Sequence, residues 1–215
     1  MKQKRVWIAA VVVLVLAVLA FAGYNIYRYP AMFRNLTDNS LDAPQVEELR
    51  EDILSRPEKK ILVAYFSYSG TTRTVANAIS ERTGGDLFEI AVQDGYSNVY
   101  TESNREIRKD ERPALKDTVE HMDEYDIVFV GYPNWNADLP MPLYTFLEEY
   151  DFSGKTIIPF NTHGGSGFSR TVQTISELQP NATVRSDGLS ISRNDVEGAE
   201  SEVVNWVQSL NLAAE

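Results

Sequence analysis

The alternation of short apolar segments with longer amphipathic segments limits the possible folds of this chain more than any other feature. The segments predicted to form strands are Ile61–Phe66, Leu87–Val92, Asp126–Tyr132, Thr156–Phe160 and Thr183–Ile191. The segments predicted to form helices are Thr72–Arg82, Met141–Tyr150, Ser169–Leu178 and Val196–Leu210. Because strands that alternate with helices pair in parallel through right-handed crossovers, the chain predicts an α/β three-layer sandwich around a five-stranded parallel sheet.

The segment from Gln93 to Met122 departs from this alternation because it is long and polar. Pro113 lies in its later part, where it would interrupt a continuous helix. We therefore predict a long excursion that includes one helix, in place of a simple crossover between the second and third strands.

Three turns follow predicted strands at the carboxyl ends of the sheet, the edge where α/β sheets of this kind bind ligands. The first turn is Ser67-Tyr68-Ser69-Gly70-Thr71-Thr72, which lies between a strand and a helix. Its backbone N–H groups and hydroxyls converge at the positive end of the helix dipole, which favours an anion. We predict a phosphate pocket here that needs no lysine. The simpler alternative is that the hydroxyls only cap the helix.

Other kinds of strand–turn–helix site do not fit this turn. A nucleoside triphosphate loop requires Gly-Lys-Ser or Gly-Lys-Thr, and a dinucleotide fingerprint requires three spaced glycines, whereas this turn has only Gly70. The chain contains no cysteine, which excludes thiol catalysis, disulfides and thiolate metal sites. We assign no catalytic side chain and no metal ligand.

The second turn spans Gly131–Pro142 and places Trp135 directly after Pro133 and Asn134. Three prolines stiffen this segment, and the tryptophan follows the carboxyl end of a strand. We predict that Trp135 forms a stacking wall for a flat ligand. The alternative is a tryptophan that packs beneath its own loop.

The third turn, Asn161–Gly167, contains three glycines, which let the backbone approach a flat ligand closely and leave peptide groups free to hydrogen-bond its edge. The residues predicted to bind there are Thr162, His163, Gly164, Gly165 and Gly167. With no serine and aspartate constellation nearby, we predict that His163 is a spacer or hydrogen-bond donor and not a catalyst. The three turns together describe a site for a planar ring with a phosphate tail.

The first turn resembles the phosphate loop of the flavodoxin-like family, whose pattern is hydroxyl-x-hydroxyl-Gly-x-Thr. The matching residues are Ser67, Ser69, Gly70 and Thr72. Asp151–Phe160 followed by Thr162–Gly167 is similar to a segment of a bacterial subgroup of this family. The resemblance extends from Lys60 to Ala213. It implies FMN bound without a covalent link, a sheet of order 2-1-3-4-5 and one-electron transfer.

Two departures from the family pattern affect the expected site. Relatives often carry a second tryptophan and a glycine after the position of Trp135, whereas this chain has Asn136 and Ala137. One face of the bound ring is therefore expected to be more open. The polar excursion between residues 93 and 122 replaces a simpler crossover, so the surface that partners would meet differs as well.

The N-terminal region is predicted to attach the domain to a membrane. Val6–Gly23 is an uncharged, mostly apolar segment of 18 residues, which as a helix would measure roughly 27 Å, close to the thickness of bilayer hydrocarbon. Lys2, Lys4 and Arg5 precede it, which predicts a cytoplasmic N-terminus and an exported domain. The alternative is a signal peptide cleaved at Ala20-Phe21-Ala22, with secretion of the remainder.

Three regions follow from these observations. Residues 1–23 are the signal anchor or signal peptide, residues 24–58 a polar stalk, and residues 59–215 the flavodoxin-like domain. A short helix over Pro44–Ser55, capped by Asp42, is predicted within the stalk.

The charge of the chain argues against nucleic-acid binding. Residues 24–215 carry 17 basic and 31 acidic residues, so a polyanion would be repelled. The acidic surface is expected to keep the protein soluble, and the alternative is that it steers a basic protein partner.

These inferences lead to one main functional hypothesis, an FMN-binding electron-transfer protein tethered to the membrane and exported. Its expected partners are redox proteins or the membrane quinone pool. One alternative is an FMN-dependent reductase of quinones. Another is a non-redox module on a flavodoxin-like scaffold.

Overall fold

The structure, a computed structural model, describes residues 59–212. The strands are β1 (Ile61–Tyr65), β2 (Asp86–Glu89), β3 (Ile127–Pro133), β4 (Thr156–His163), β5 (Thr183–Val184) and β6 (Leu189–Ser192). The α-helices are α1 (Thr71–Thr83), α2 (Val99–Lys109), α3 (Met141–Glu149), α4 (Thr171–Leu178) and α5 (Glu200–Ser209). Single turns of 3₁₀ helix lie at Met122–Glu124 and Val196–Gly198.

Within this described range, no helix is both long and apolar enough to cross a membrane. The predicted membrane segment Val6–Gly23 and the predicted stalk helix Pro44–Ser55 lie outside the described residues.

The strands form one parallel sheet in the order β2-β1-β3-β4-β5. Val63 of β1 lies opposite Leu87 of β2 on one side and opposite Phe129 of β3 on the other. This arrangement confirms the predicted α/β fold and its sheet order 2-1-3-4-5.

The fifth predicted strand, Thr183–Ile191, is divided into β5 and β6, which both pair with β4. Ile157 lies opposite Val184, and Phe160 lies opposite Leu189. Between these two pairs, β4 has two residues, whereas the edge segment has four. One of the two is Pro159, which has no amide hydrogen to donate to a ladder, and this accounts for the interruption at this position.

The core lies on both faces of the sheet, as the strand period of two requires. Leu62 and Ala64 face the side covered by α3 and α4, whereas Val63 and Tyr65 face the side covered by α1 and α5. The buried side chains of the first face include Val128, Val130, Leu143, Phe146, Phe152 and Ile175. Those of the second face include Val75, Ile79, Phe129, Phe160, Val203 and Val207.

The polar excursion contains α2, in agreement with the one helix predicted there. Asn98 caps its N-terminus by accepting a hydrogen bond from the Thr101 N–H at 3.1 Å. The predicted helix Val196–Leu210 is divided into a 3₁₀ turn and α5. The division follows Gly198, a residue with low helix propensity.

Candidate functional site

A cavity of about 560 Å³ lies at the carboxyl ends of β1, β3 and β4. Among the residues predicted from the sequence, those that line it are Tyr68, Ser69, Thr71, Pro133, Asn134, Trp135, Thr162, His163 and Gly164. Predicted residues that lie in the same turns without lining it are Ser67, Gly70, Thr72, Gly165 and Gly167. The fold thus brings all three turns to one place, although their sequence positions are far apart.

The first turn presents free backbone donors at the start of α1. Gly70 adopts a left-handed conformation with φ of 91°, which suits glycine and directs the chain into the helix. The Ser67 hydroxyl oxygen accepts hydrogen bonds from the N–H groups of Gly70 and Arg73, each at 3.2 Å. Within residues 59–212, the N–H groups of Ser69, Thr71 and Thr72 have no partner.

The hydroxyls of this turn differ in their availability. The Ser69 and Thr71 hydroxyl oxygens lie 3.2 Å apart, and both residues line the cavity. The Thr72 side chain is fully buried, and its hydroxyl lies 2.9 Å from that of Thr162 on β4. The free N–H groups and the first two hydroxyls therefore form an anion-binding donor set, while Thr72 ties α1 to the sheet.

Arg73 does not contribute a free charge to this turn. Its guanidinium forms an ion pair with Glu89 at the end of β2, and this carboxylate raises the pKa of the guanidinium further above its usual range. The helix N-terminus and the neutral donors remain to hold an anion.

The second turn presents Trp135 at the end of a tight hairpin. Trp135 and Asp138 exchange two backbone hydrogen bonds of 3.1 and 3.0 Å. Asn136 and Ala137, between them, have φ of 53° and 62°, the conformation of a type I′ turn. The hairpin therefore holds the half-buried indole at the cavity.

Trp135 also packs in an aromatic cluster, defined here as Phe66, Tyr68, Tyr96 and Trp135. The centroid of the Trp135 ring lies 5.3 Å from that of Phe66, 6.2 Å from that of Tyr68 and 6.0 Å from that of Tyr96, in edge-to-face contacts. Such contacts fix the orientation of the indole. The two sequence interpretations, a cavity wall and a packed tryptophan, thus describe the same residue.

Asp138 anchors this hairpin to the helices behind it. Its carboxylate accepts hydrogen bonds from the hydroxyl of Thr174 at 2.7 Å and the hydroxyl of Tyr144 at 3.3 Å. It also pairs with the guanidinium of Arg170 at 3.1 Å. This supporting role could not be predicted from the sequence, because the partners come from α3, α4 and the segment before α4.

The third turn is ordered by its own polar side chains. Nδ1 of His163 accepts a hydrogen bond from the N–H of Gly165 at 2.9 Å, so the imidazole shapes the glycine loop. The carbonyl of Gly167 accepts from the side-chain amides of Asn134 at 2.7 Å and Asn161 at 2.8 Å, which joins the second and third turns. The buried Oδ1 atoms of both asparagines have no partner in the described part of the chain.

Helix α2 covers the cavity and supplies residues that the sequence analysis did not assign. They are Val99, Tyr100, Ser103 and Asn104. Tyr100 is 80% exposed and Tyr68 is 52% exposed, so two aromatic side chains stand at the opening of the cavity. The polar excursion that contains the α2 residues offered no periodic signal that could place them beside the turns.

A hydrogen bond between half-buried Tyr96 and buried Glu106 joins α2 to the aromatic cluster. The Tyr96 hydroxyl donates to the carboxyl group of Glu106 at 2.9 Å. Burial raises the pKa of Glu106, although the hydrogen bond from Tyr96 opposes this change. Burial and the adjacent carboxyl group together raise the pKa of Tyr96, so its phenol stays protonated and able to donate.

Three further lining residues were also not predicted: Asn136, Ser166 and Arg193. Arg193 directly follows β6, beyond the end predicted for the fifth strand. Its backbone N–H donates to the carbonyl of His163 at 2.8 Å, which brings it to the third turn.

Comparison with known proteins agrees with this fold. A family model described as Flavodoxin matches residues 60–210. A protein of Bacteroides uniformis ATCC 8492 designated a flavoprotein is 30% identical, with a TM-score of 0.64, and the match covers 71% of this chain and 99% of that one. A similarly designated protein of Bacteroides eggerthii DSM 20697 is 31% identical, with a TM-score of 0.57 and coverage of 68% and 98%.

A flavoprotein of Lactobacillus acidophilus NCFM, solved in complex with FMN, shares the fold at 24% identity, a TM-score of 0.54 and coverage of 66% and 98%. No curated protein sequence matches the chain. The family match extends over most of the chain and over every strand of the sheet. The chain therefore belongs to the flavodoxin family.

Proposed function

We propose that this protein binds FMN and transfers electrons between redox partners. The observation that carries the proposal is that one cavity is lined by hydrogen-bond donors suited to a phosphate, by an oriented tryptophan and by a glycine-rich turn. Membership of the flavodoxin family supports FMN as the cofactor. The FMN complex of the Lactobacillus flavoprotein, which has the same fold, is consistent with it.

The residues of the cavity fit the two ends of FMN. The unpartnered N–H groups of Ser69, Thr71 and Thr72, with the Ser69 and Thr71 hydroxyls, suit a phosphate. Hydrogen bonds to a charged oxygen each contribute about 1.5–3 kcal/mol, so several together hold a phosphate without a lysine. Trp135 and the third turn suit a planar ring.

Each group of residues has a distinct part in the proposed electron transfer. FMN, when bound, supplies the redox chemistry by accepting and releasing electrons. The first turn binds the phosphate, and Trp135 with its aromatic neighbours orients the ring and excludes water from one side. His163 and Asn134 hold the glycine turn in shape through the N–H of Gly165 and the carbonyl of Gly167.

Selective binding of FMN tests this proposal. We expect the full-length protein, purified in detergent, to bind FMN more tightly than riboflavin or FAD, because the first turn is formed for a terminal phosphate. Titration with quenching of flavin fluorescence measures all three affinities. Equal affinity for riboflavin and FMN would contradict the phosphate assignment, and no binding of FMN would overturn the proposed function.

The quinone reductase suggested by the sequence differs from an electron carrier in what it does alone. A carrier needs a partner protein to deliver electrons, whereas a reductase turns over by itself. Steady-state reduction of a quinone by NADPH with only the purified protein present would favour the reductase.

We also propose that the domain is tethered to a membrane and exported, with redox proteins or the quinone pool as partners. The support comes from the sequence, in the apolar segment Val6–Gly23 and the preceding basic residues Lys2, Lys4 and Arg5. We expect the protein to stay with membranes after high-salt and alkaline washing. The proposed attachment is an apolar segment buried in the bilayer, which these washes do not release, and not an electrostatic contact, which they would. A soluble exported chain beginning at Gly23 would instead show a cleaved signal peptide.

A further inference from the structure

The lining of the cavity differs in charge from the protein as a whole. The net charge of the chain is −11 at pH 7, yet no aspartate or glutamate of the described residues lines the cavity. Arg193 is the single lysine or arginine among the described lining residues. A phosphate monoester carries about −1.5 to −2 charges at pH 7, so a phosphate that enters the cavity is attracted to this side chain.

The end of β4 contacts both the first turn and Arg193. The Thr162 hydroxyl lies 2.9 Å from that of Thr72 and 3.5 Å from that of Thr71. The next residue, His163, accepts a hydrogen bond on its carbonyl from the Arg193 N–H at 2.8 Å. Arg193 and the start of α1 therefore meet at the same two residues of β4.

The sheet also directs the Arg193 side chain toward the side on which α1 lies. Thr162 lies opposite Ile191 of β6. Ile191 packs in the core beneath α1 and α5, the side on which Thr162 reaches α1. Because side chains two residues apart on an extended chain point to the same face, Arg193 follows Ile191 on that side. Its guanidinium carbon lies 3.7 Å from the position that a Cβ on Gly164 would occupy, against the bare backbone of the third turn.

The guanidinium of Arg193 is available to a ligand. Among residues 59–212, no carboxylate, carbonyl or hydroxyl pairs with it. Arg73 and Arg170, by contrast, are each paired with a carboxylate. A guanidinium is always charged, and its planar fork of N–H donors can bind two oxygens of one phosphate.

We propose that Arg193 completes the phosphate site, so that its guanidinium and the donors of the first turn bind the same phosphate. This inference rests on the proposed function, since it takes FMN as the ligand. Arg193 supplies the positive charge that the first turn lacks, because Arg73 is already paired with Glu89. Charged hydrogen bonds are stronger than neutral ones, so Arg193 increases the preference for FMN over riboflavin.

The experiment compares the full-length protein in detergent with Arg193→Gln, Arg193→Lys and Arg108→Gln. Arg108 lies on α2, is exposed and does not line the cavity, so its substitution makes the same change in net charge near the cavity without touching the lining. Fluorescence titration measures the affinities for FMN and riboflavin. Competition by inorganic phosphate against FMN measures binding of the phosphate group alone.

We expect Arg193→Gln to weaken FMN binding by roughly 10- to 100-fold, because it removes hydrogen bonds between charged groups, and to leave riboflavin affinity unchanged. Inorganic phosphate should compete less well by a similar factor. Arg193→Lys should recover part of the loss, since it keeps the charge but not the paired donors. Arg108→Gln should change each affinity by less than about twofold. Unchanged riboflavin binding also shows that the variants are folded.

Three results would overturn the inference. If Arg193→Gln weakens FMN and riboflavin binding equally, Arg193 contacts another part of the ligand. If it behaves like Arg108→Gln, its guanidinium is only solvated. If the unsubstituted protein binds no FMN, the proposed function fails together with the inference, and that outcome is visible before any substitution is made.

Discussion

The double substitution Ser69→Ala with Thr71→Val should weaken FMN binding by about 3–6 kcal/mol, or roughly two to four orders of magnitude. The two hydroxyls lie 3.2 Å apart on the cavity wall and are placed to donate to the same phosphate. Each hydrogen bond to a charged oxygen contributes about 1.5–3 kcal/mol. Riboflavin, which lacks the phosphate, should bind with the same affinity before and after the change.

The matched control for this experiment is Thr74→Ala. Thr74 lies on the same helix, is exposed and does not line the cavity, so it should alter FMN affinity by less than about 0.5 kcal/mol. Fluorescence titrations with both flavins provide the measurement. A parallel loss of riboflavin affinity in the double variant would mean that the first turn holds the ring and not the phosphate.

Trp135→Ala should lower both the stability of the domain and its affinity for the flavin ring. The indole makes edge-to-face contacts with Phe66, Tyr68 and Tyr96, each worth about 0.5–1.5 kcal/mol, so the free energy of unfolding should fall by about 2–4 kcal/mol. Loss of a stacking wall should weaken FMN and riboflavin equally, by about 1–3 kcal/mol. The absorbance and reduction potential of the bound flavin should also change, because stacking depends on the oxidation state of the ring.

Trp135→Phe and Trp206→Phe separate these two effects. Phenylalanine at 135 keeps an aromatic face and should recover part of the affinity. Trp206 packs on Phe129 on the opposite face of the sheet, so its substitution should reduce stability without changing the flavin spectrum. If Trp135→Ala left the spectrum and the potential of bound flavin unaltered, the ring wall would have to come from Tyr68 or from Tyr100 on α2.

The two sets of substitutions remove different groups from the same cavity, hydroxyl donors in one case and an aromatic ring in the other. Loss of the two hydroxyls should weaken the binding of FMN but not of riboflavin, whereas loss of the indole should weaken the binding of both flavins. Both experiments require folded protein, and urea denaturation of each variant shows whether a loss of binding reflects unfolding.

Much of the fold was predictable because the signals that specify it are local. The apolar segments around Val63, Phe129 and Ile158 indicated buried parallel strands. The helices predicted between them indicated the crossovers of a three-layer sandwich, and the parallel pairing of β1, β3 and β4 agrees with this. The turn residues of the site were identified for the same reason, since Gly70, Gly165 and Gly167 adopt positive φ, a backbone conformation that other residues rarely adopt.

Other parts of the site depended on contacts between residues distant in the sequence. Thr72 bonds to Thr162, which follows it by 90 residues, and this pairing decides which hydroxyls of the first turn stay free. The covering helix α2 is held by the Tyr96 and Glu106 pair and lies over turns that belong to other strands. No periodicity within residues 93–122 could reveal where that segment packs.

The sequence by itself determined the class of fold and the three turns at one edge of the sheet, because hydrophobic period and turn chemistry are properties of neighbouring residues. Only the tertiary structure decided that β4 is joined at one edge by two short strands, that Trp135 serves both as cavity wall and as packed residue, and that Arg193 enters a cavity without acids. These features arise from packing, in which Pro159 interrupts a ladder and the sheet brings residue 193 beside residue 163.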